Sequence, residues 1–206
     1  MDSNINVFRP PVLGWLEKKL SDQEVLYLWD CISKSGEEHS SNLAGNIQGS
    51  YLLNDKDDWF FQNTLSPLCE RYSEEFDNLG NRYQFDNWYP YSLQKMWVNF
   101  QNQGEFNPVH DHGGIYSFVI WMQIPTEFKE QNELHFAKKS NSPRVSAFEF
   151  SYMDILGVPC GQVYQLGKKF EGVMLFFPAK LQHQVYPFFN CNEQRISISG
   201  NIGFGF

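Results

Sequence analysis

Residues 107–125 read NPVHDHGGIYSFVIWMQIP: two histidines one residue apart, two glycines, then a run of aromatic and β-branched residues. In an extended strand, side chains two apart share a face, so His110 and His112 point the same way and Asp111 points the other. That geometry makes a chelating pair available. It suits two polar residues at a strand end just as well. Pro108 before the pair and Gly113–Gly114 after it are turn formers, which puts the pair where one strand ends and the strand built on Ile115–Ile124 begins.

Working outward, Tyr91 onward is a succession of short β-type runs: LQKMWVNFQ, IYSFVIWMQI, ELHFAKK, RVSAFEFSY, GQVYQL, GVMLFFP, HQVYPF and RISISGNIGF. Turn signals separate them, and no long helical pattern intervenes. This is the signature of an all-β sandwich or barrel, and eight runs suggest a jelly roll. The first ninety or so residues read instead as mostly helical, a support region in what is expected to be a single domain. In LSDQEVLYLWDCISKSG, Ser21 and Glu24 form an S-x-x-E capping box, while Val25, Leu28, Trp29 and Ile32 repeat with helical period and Gly36 is a natural stop. A second helical stripe, Phe61, Leu65, Leu68, Tyr72 and Phe76, lies within residues 57–76, with Pro67 kinking it or starting a new helix after Ser66. Between the two, SSNLAGNIQGSYLLND reads as a loop ending in a short strand. Both helices need a partner for their apolar faces, and one sheet of the jelly roll is expected to provide it.

The 206 residues are 42% apolar and 17% aromatic, with 19 Phe and 6 Trp, which argues for a broad aromatic interior and against disorder. A net charge of −8 disfavours a general nucleic-acid binder, which needs cations to neutralise phosphates. The sequence has no basic start with an apolar core behind it and no apolar run of membrane-spanning length, so a cytoplasmic protein is expected. Cys31, Cys69, Cys160 and Cys191 stand far apart without a C-x-x-C, as expected of free thiols.

A facial metal site needs a third ligand beside His110 and His112. His39, in the polar loop SGEEHSSN, and His135, in NELHFAKK, read as surface residues. His183 follows the strongly apolar GVMLFFPAKLQ and opens HQVYPF, a position that brings it to the same mouth if the two strands are neighbours. In RISISGN, Ile196 and Ile198 share one strand face, and Arg195, Ser197 and Ser199 share the other. An inward Arg195 needs an anion, and a carboxylate best matches the guanidinium fork; an outward one is a solvated or ion-paired surface residue.

Taken together, these segments resemble the iron(II)- and 2-oxoglutarate-dependent oxygenases, especially the small 2OG-Fe(II) oxygenases of bacteria and bacteriophages. The resemblance runs from about Trp97 to Asn201 and rests on MWVNFQNQGEFNPVHDHGG with its H-x-H pair, on YSFVIWMQIP, on LFFPAKLQHQVYPF and on R-x-S-x-x-x-N. It implies a double-stranded β-helix, a cupin-like jelly roll, with the metal at its open end. It further implies Fe(II), 2-oxoglutarate and O2 as cofactor and co-substrates, His110, His112 and His183 as ligands, and Arg195 on the distal carboxylate of 2-oxoglutarate. Asn99, Ser197 and Asn201 occupy positions where the superfamily places co-substrate hydrogen-bonding groups. The implied reaction converts 2-oxoglutarate to succinate while hydroxylating a small-molecule or peptidyl substrate.

One residue departs from the superfamily's usual H-x-D/E: position 112 is His, so the set is three neutral imidazoles, which suit iron, copper, nickel and zinc alike. A shifted register would make His112 the first ligand and leave a gap at Gly114, as in halogenases of this fold. The three-histidine set also suits a cupin-like metal- or small-ligand-binding barrel without oxygenase turnover, whereas Arg195 favours the oxygenase. Tyr116, Phe118 and Trp121 are expected mainly as core.

Overall fold

Why the pair sits where it does follows from how two sheets are stacked. The computed structural model describes residues 12–42, 45–76, 78–83 and 89–205. Among the described residues ten strands form two antiparallel sheets: β1 (Leu16–Lys19), β2 (Gly49–Leu52), β3 (Tyr91–Gln101), β4 (Asn107–His110), β5 (Tyr116–Gln123), β6 (Ala147–Met153), β7 (Pro159–Gln165), β8 (Val173–Pro178), β9 (Gln182–Val185) and β10 (Arg195–Phe204). The six-stranded sheet has the order β1-β8-β5-β10-β3-β2, the four-stranded sheet β4-β9-β6-β7. They face one another as a jelly roll but do not close into a barrel, because no strand pairs across both sheets.

The alternation in YSFVIWMQ explains the layering. Tyr116, Phe118, Ile120 and Met122 join one apolar cluster, while Val119 and Trp121 join another. The first cluster gathers Leu28 of helix α1 (Asp22–Ser33), Leu68 and Tyr72 of helix α2 (Ser66–Glu75), and Met96, Val98, Met174, Ile196 and Ile198 of the large sheet. The second fills the space between the sheets with Phe148, Phe150, Tyr164, Leu175 and Phe177. Each such side chain contributes about 1.5–3 kcal/mol on burial, so both faces of the large sheet are strongly specified.

Local chemistry sets the helices as expected. The Ser21 backbone N–H donates to Glu24 Oε2 at 2.7 Å and the Glu24 N–H to Ser21 Oγ at 3.3 Å, a complete capping box. Pro67 lies in the first turn of α2, directly after a π-helical turn over Phe61–Leu65, so the proline opens a new helical segment. The first ninety residues are less helical than their pattern implies: β1 and β2 are the two edges of the large sheet, β1 paired with β8 and β2 with β3. LEKK carries no strand signal of its own. Pairing with Val173–Phe176 makes it a strand, a case of tertiary context overriding propensity.

ELHFAKK is not a strand. A short helix, α3 (Phe128–Asn132), precedes it, and turns carry the chain on through Lys139, leaving His135 exposed. The run looked alternating, yet no neighbouring strand is there to pair with it.

Candidate metal centre and co-substrate pocket

His110 is the last residue of β4 and pairs with His183 across the ladder to β9. Past His110 the chain turns: the His112 N–H donates to Ala179 O at 2.9 Å and the Ile115 N–H to Ile202 O at 2.7 Å, which carries the backbone from the small sheet to the large one. Gly114 makes the crossing at φ 92, and a Cβ there would stand 2.7 Å from Ile202 O. Only glycine is at ease in that position.

The outcome is a triad. One ring nitrogen from each of His110, His112 and His183 lies within 4.8 Å of the others, and the His112 and His183 Nε2 atoms are 3.1 Å apart. Backbone carbonyls orient two of the rings: His110 Nδ1 lies 2.7 Å from Pro108 O and His183 Nδ1 lies 2.9 Å from Leu181 O. A proton on each Nδ1 leaves each Nε2 as the lone-pair donor, one of the two tautomers that bind metals. Burial, reinforced by His110, pulls His112 down to about 4; burial, then His110 and His112, hold His183 well below the usual histidine range. Asp111 lies just past the end of β4, at the rim of the cavity, and accepts from Lys180 Nζ at 2.9 Å. The triad thus offers three imidazole nitrogens and no carboxylate, a set that fits Fe(II) and other first-row dications.

Arg195 lies at the other end of the cavity, 1% exposed, and its burial lowers it to about 9. Nη2 donates to Ser146 Oγ at 2.6 Å, Nη1 reaches Gln101 Oε1 and Tyr186 O at 3.3 Å each, and the guanidinium stacks 4.9 Å over Phe188. Its Nε has no partner, and no carboxylate among the described residues pairs with it. The nearby buried Glu149 is already bound to Arg144, Gln184 and Tyr186. A buried guanidinium satisfied only by neutral groups is costly unless an anion joins it, so the site fits a carboxylate-bearing co-substrate.

Between triad and guanidinium lies a cavity of about 380 Å3, room for a small organic acid and part of a second molecule. Asn99, Ser197 and Asn201 all line it, as does Trp121, whereas Tyr116 and Phe118 join the helix-side cluster. His39 is a correction. The Glu38–Tyr51 bridge lays its loop over β2, and the His39 ring packs 5.7 Å from Trp97, 5% exposed, on the cavity wall. Ser146, Gln101, Tyr186 and Phe188, which hold Arg195, had no signal in the sequence. Ser146 adopts φ 63, a left-handed conformation that only the folded surroundings impose.

Residues 95–201, just over half of the chain, match a family profile described as "Putative 2OG-Fe(II) oxygenase". The chain belongs to the 2OG-Fe(II) oxygenase family. Enzymes of this family use Fe(II), 2-oxoglutarate and O2. The oxygenase shares its fold with a Pseudomonas putida prolyl-4-hydroxylase, at TM-score 0.53 and 12% identity over 94% of each chain. It is also similar to a Burkholderia pseudomallei oxidoreductase of the 2OG-Fe(II) oxygenase family, at TM-score 0.54 and 10% identity over 90% of this chain and 80% of that one. A third relative, the viral collagen prolyl hydroxylase of Paramecium Bursaria Chlorella virus-1, solved as its 2OG complex, gives TM-score 0.51 and 13% identity over 91% and 94%. No curated protein sequence matches the oxygenase. Among the described residues, no helix is long and apolar enough to cross a membrane.

Proposed function

We propose that this oxygenase is a hydroxylase that couples conversion of 2-oxoglutarate to succinate and carbon dioxide with oxidation of a C–H bond in a small-molecule or peptidyl substrate. His110, His112 and His183 would hold Fe(II), and the bound iron supplies the O2 chemistry that side chains cannot. The rest is positioning. Arg195 grips the distal carboxylate of 2-oxoglutarate, its free Nε and the Nη groups furnishing the fork. Ser146, Gln101 and Phe188 hold that guanidinium still, so little ordering is left for the co-substrate to bring about. Asn99 and Ser197, paired across β3 and β10 one inward step from Arg195, face the co-substrate's length. Ser50 Oγ donates to Asn99 Oδ1 at 2.7 Å and thereby turns the amide N–H groups inward. Val119 and Trp121 exclude water from one wall.

The observation that carries the reading is the pairing of three convergent imidazoles with a buried guanidinium that has no counter-charge among the described residues. The test is succinate formation from 2-oxoglutarate with Fe(II) and O2, together with 2-oxoglutarate binding by calorimetry. Metal-dependent binding with slow uncoupled turnover supports it; metal bound without any 2-oxoglutarate affinity refutes it.

A further inference from the structure

The inward faces of β3 and β10 form a ladder. Its rungs are Arg195 with Gln101, Ser197 with Asn99, Ser199 with Trp97 and Asn201 with Lys95. The His112 ring lies 5.7 Å from the Trp97 ring, so the triad stands at the third rung. Asn201 is six residues from Arg195, about 20 Å along the strand at about 3.3 Å per residue. An extended five-carbon diacid is only about 6 Å from end to end. A 2-oxoglutarate gripped by Arg195 therefore cannot reach Asn201, although that residue stands where superfamily co-substrate contacts are common. The fourth rung faces something else.

That rung consists of donors. Ser117 Oγ donates to Asn201 Oδ1 at 2.8 Å, which turns the amide N–H groups toward the cavity. Lys95 lines the same mouth and makes no hydrogen bond or ion pair with any described residue. Lys95 is exposed at that mouth, and after burial it is the main influence that lowers His39, which lines the same cavity. Among the described residues, the only acid lining the cavity, Asp111, is held by Lys180. In a chain of net charge −8, this cavity is thus walled by cations and amide donors at both ends. Such a lining selects an anion by attraction and disfavours cationic substrates by repulsion.

We propose that Lys95 and Asn201 form a second anion subsite, across the triad from Arg195, that binds a carboxylate of the primary substrate. The assignment rests on the function proposed above and narrows its substrate class to acids, whether small molecules or peptides with an acidic residue. Lys95 and Asn201 are specificity residues: they fix the far end of the substrate so that its reacting carbon lies at the third rung.

The test uses the full chain loaded with Mn(II) and saturated with 2-oxoglutarate, which occupies Arg195. Two matched pairs are titrated and followed by tryptophan fluorescence: hippurate against hippuramide, and phenyl phosphate against phenol. The expected result is at least tenfold tighter binding of hippurate than of its amide. Lys95→Met abolishes that preference and Lys95→Arg retains it, with the 2-oxoglutarate affinity of both variants, measured separately, reporting that the pocket is folded. A preference confined to the phosphate pair, equal affinities within both pairs, or a hippurate preference that survives in Lys95→Met overturns the carboxylate subsite. Failure of 2-oxoglutarate to bind in the first step overturns the proposed function instead, and the subsite with it, so the two failures are told apart.

Discussion

The Nε2 atoms of His112 and His183 face each other at 3.1 Å, although His183 already has a carbonyl partner for its other nitrogen. Two imidazoles this close either share one proton or share a cation. Burial, and after it the neighbouring His110, holds both below the usual histidine range and denies them a second proton. A dication satisfies both lone pairs and that of His110 at once.

If so, replacing any one of His110, His112 and His183 by Ala lowers metal affinity by more than the 10–100-fold that loss of an outer hydrogen bond costs. Asp111→Asn leaves it unchanged, because that carboxylate is turned to Lys180. Metal content after dialysis against Fe(II) or Mn(II) checks both. Loss of metal in Asp111→Asn would show that the strand ends in a different register.

Arg195→Met should separate stability from function. A buried charge without a counter-charge is costly in itself, so its removal should leave the free protein at least as stable. The same change removes one partner of the carboxylate and weakens 2-oxoglutarate binding by about 2–5 kcal/mol, roughly 30-fold or more. Urea unfolding without ligand and calorimetry with it give the two numbers.

Ser146 holds Arg195 from a left-handed backbone at φ 63. Ser146→Ala keeps the strain and loses the hydrogen bond; Ser146→Gly loses the bond but relieves the strain. Gly should therefore be the more stable of the two by about 1 kcal/mol, the reverse of their order in a helix or strand. Urea midpoints of the two variants decide it.

Stability should fall in acid through Glu24. Burial pushes its carboxyl up, but hydrogen bonds from Lys18, Thr64 and Ser21 outweigh that and hold it at about 2. The folded value lies below the unfolded one, so the contribution is complete above the unfolded carboxylate range and is lost as pH falls toward 2. Glu24→Gln, measured by urea unfolding, should cost about 1–2 kcal/mol at pH 7 and much less at pH 3.

Much of the architecture was legible because burial writes itself into period. The alternation in YSFVIWMQ, the capping box at Ser21 and the inward face of RISIS all follow from which atoms must leave water. What was not legible depended on partners. LEKK is a strand only because β8 lies beside it, ELHFAKK is not one because nothing does, and His39 is buried only because its loop bridges to Tyr51. The residues that clamp Arg195 come from three separate segments, and one of them relies on a backbone angle that no residue type announces.

The most direct test is a crystal structure of the full chain with Mn(II) and 2-oxoglutarate. The account predicts one ion bound by Nε2 of His110, His112 and His183 at about 2 Å each, with the distal carboxylate of 2-oxoglutarate on Arg195. An ion that excludes His110, or a diacid whose far carboxylate lies away from Arg195, would contradict it.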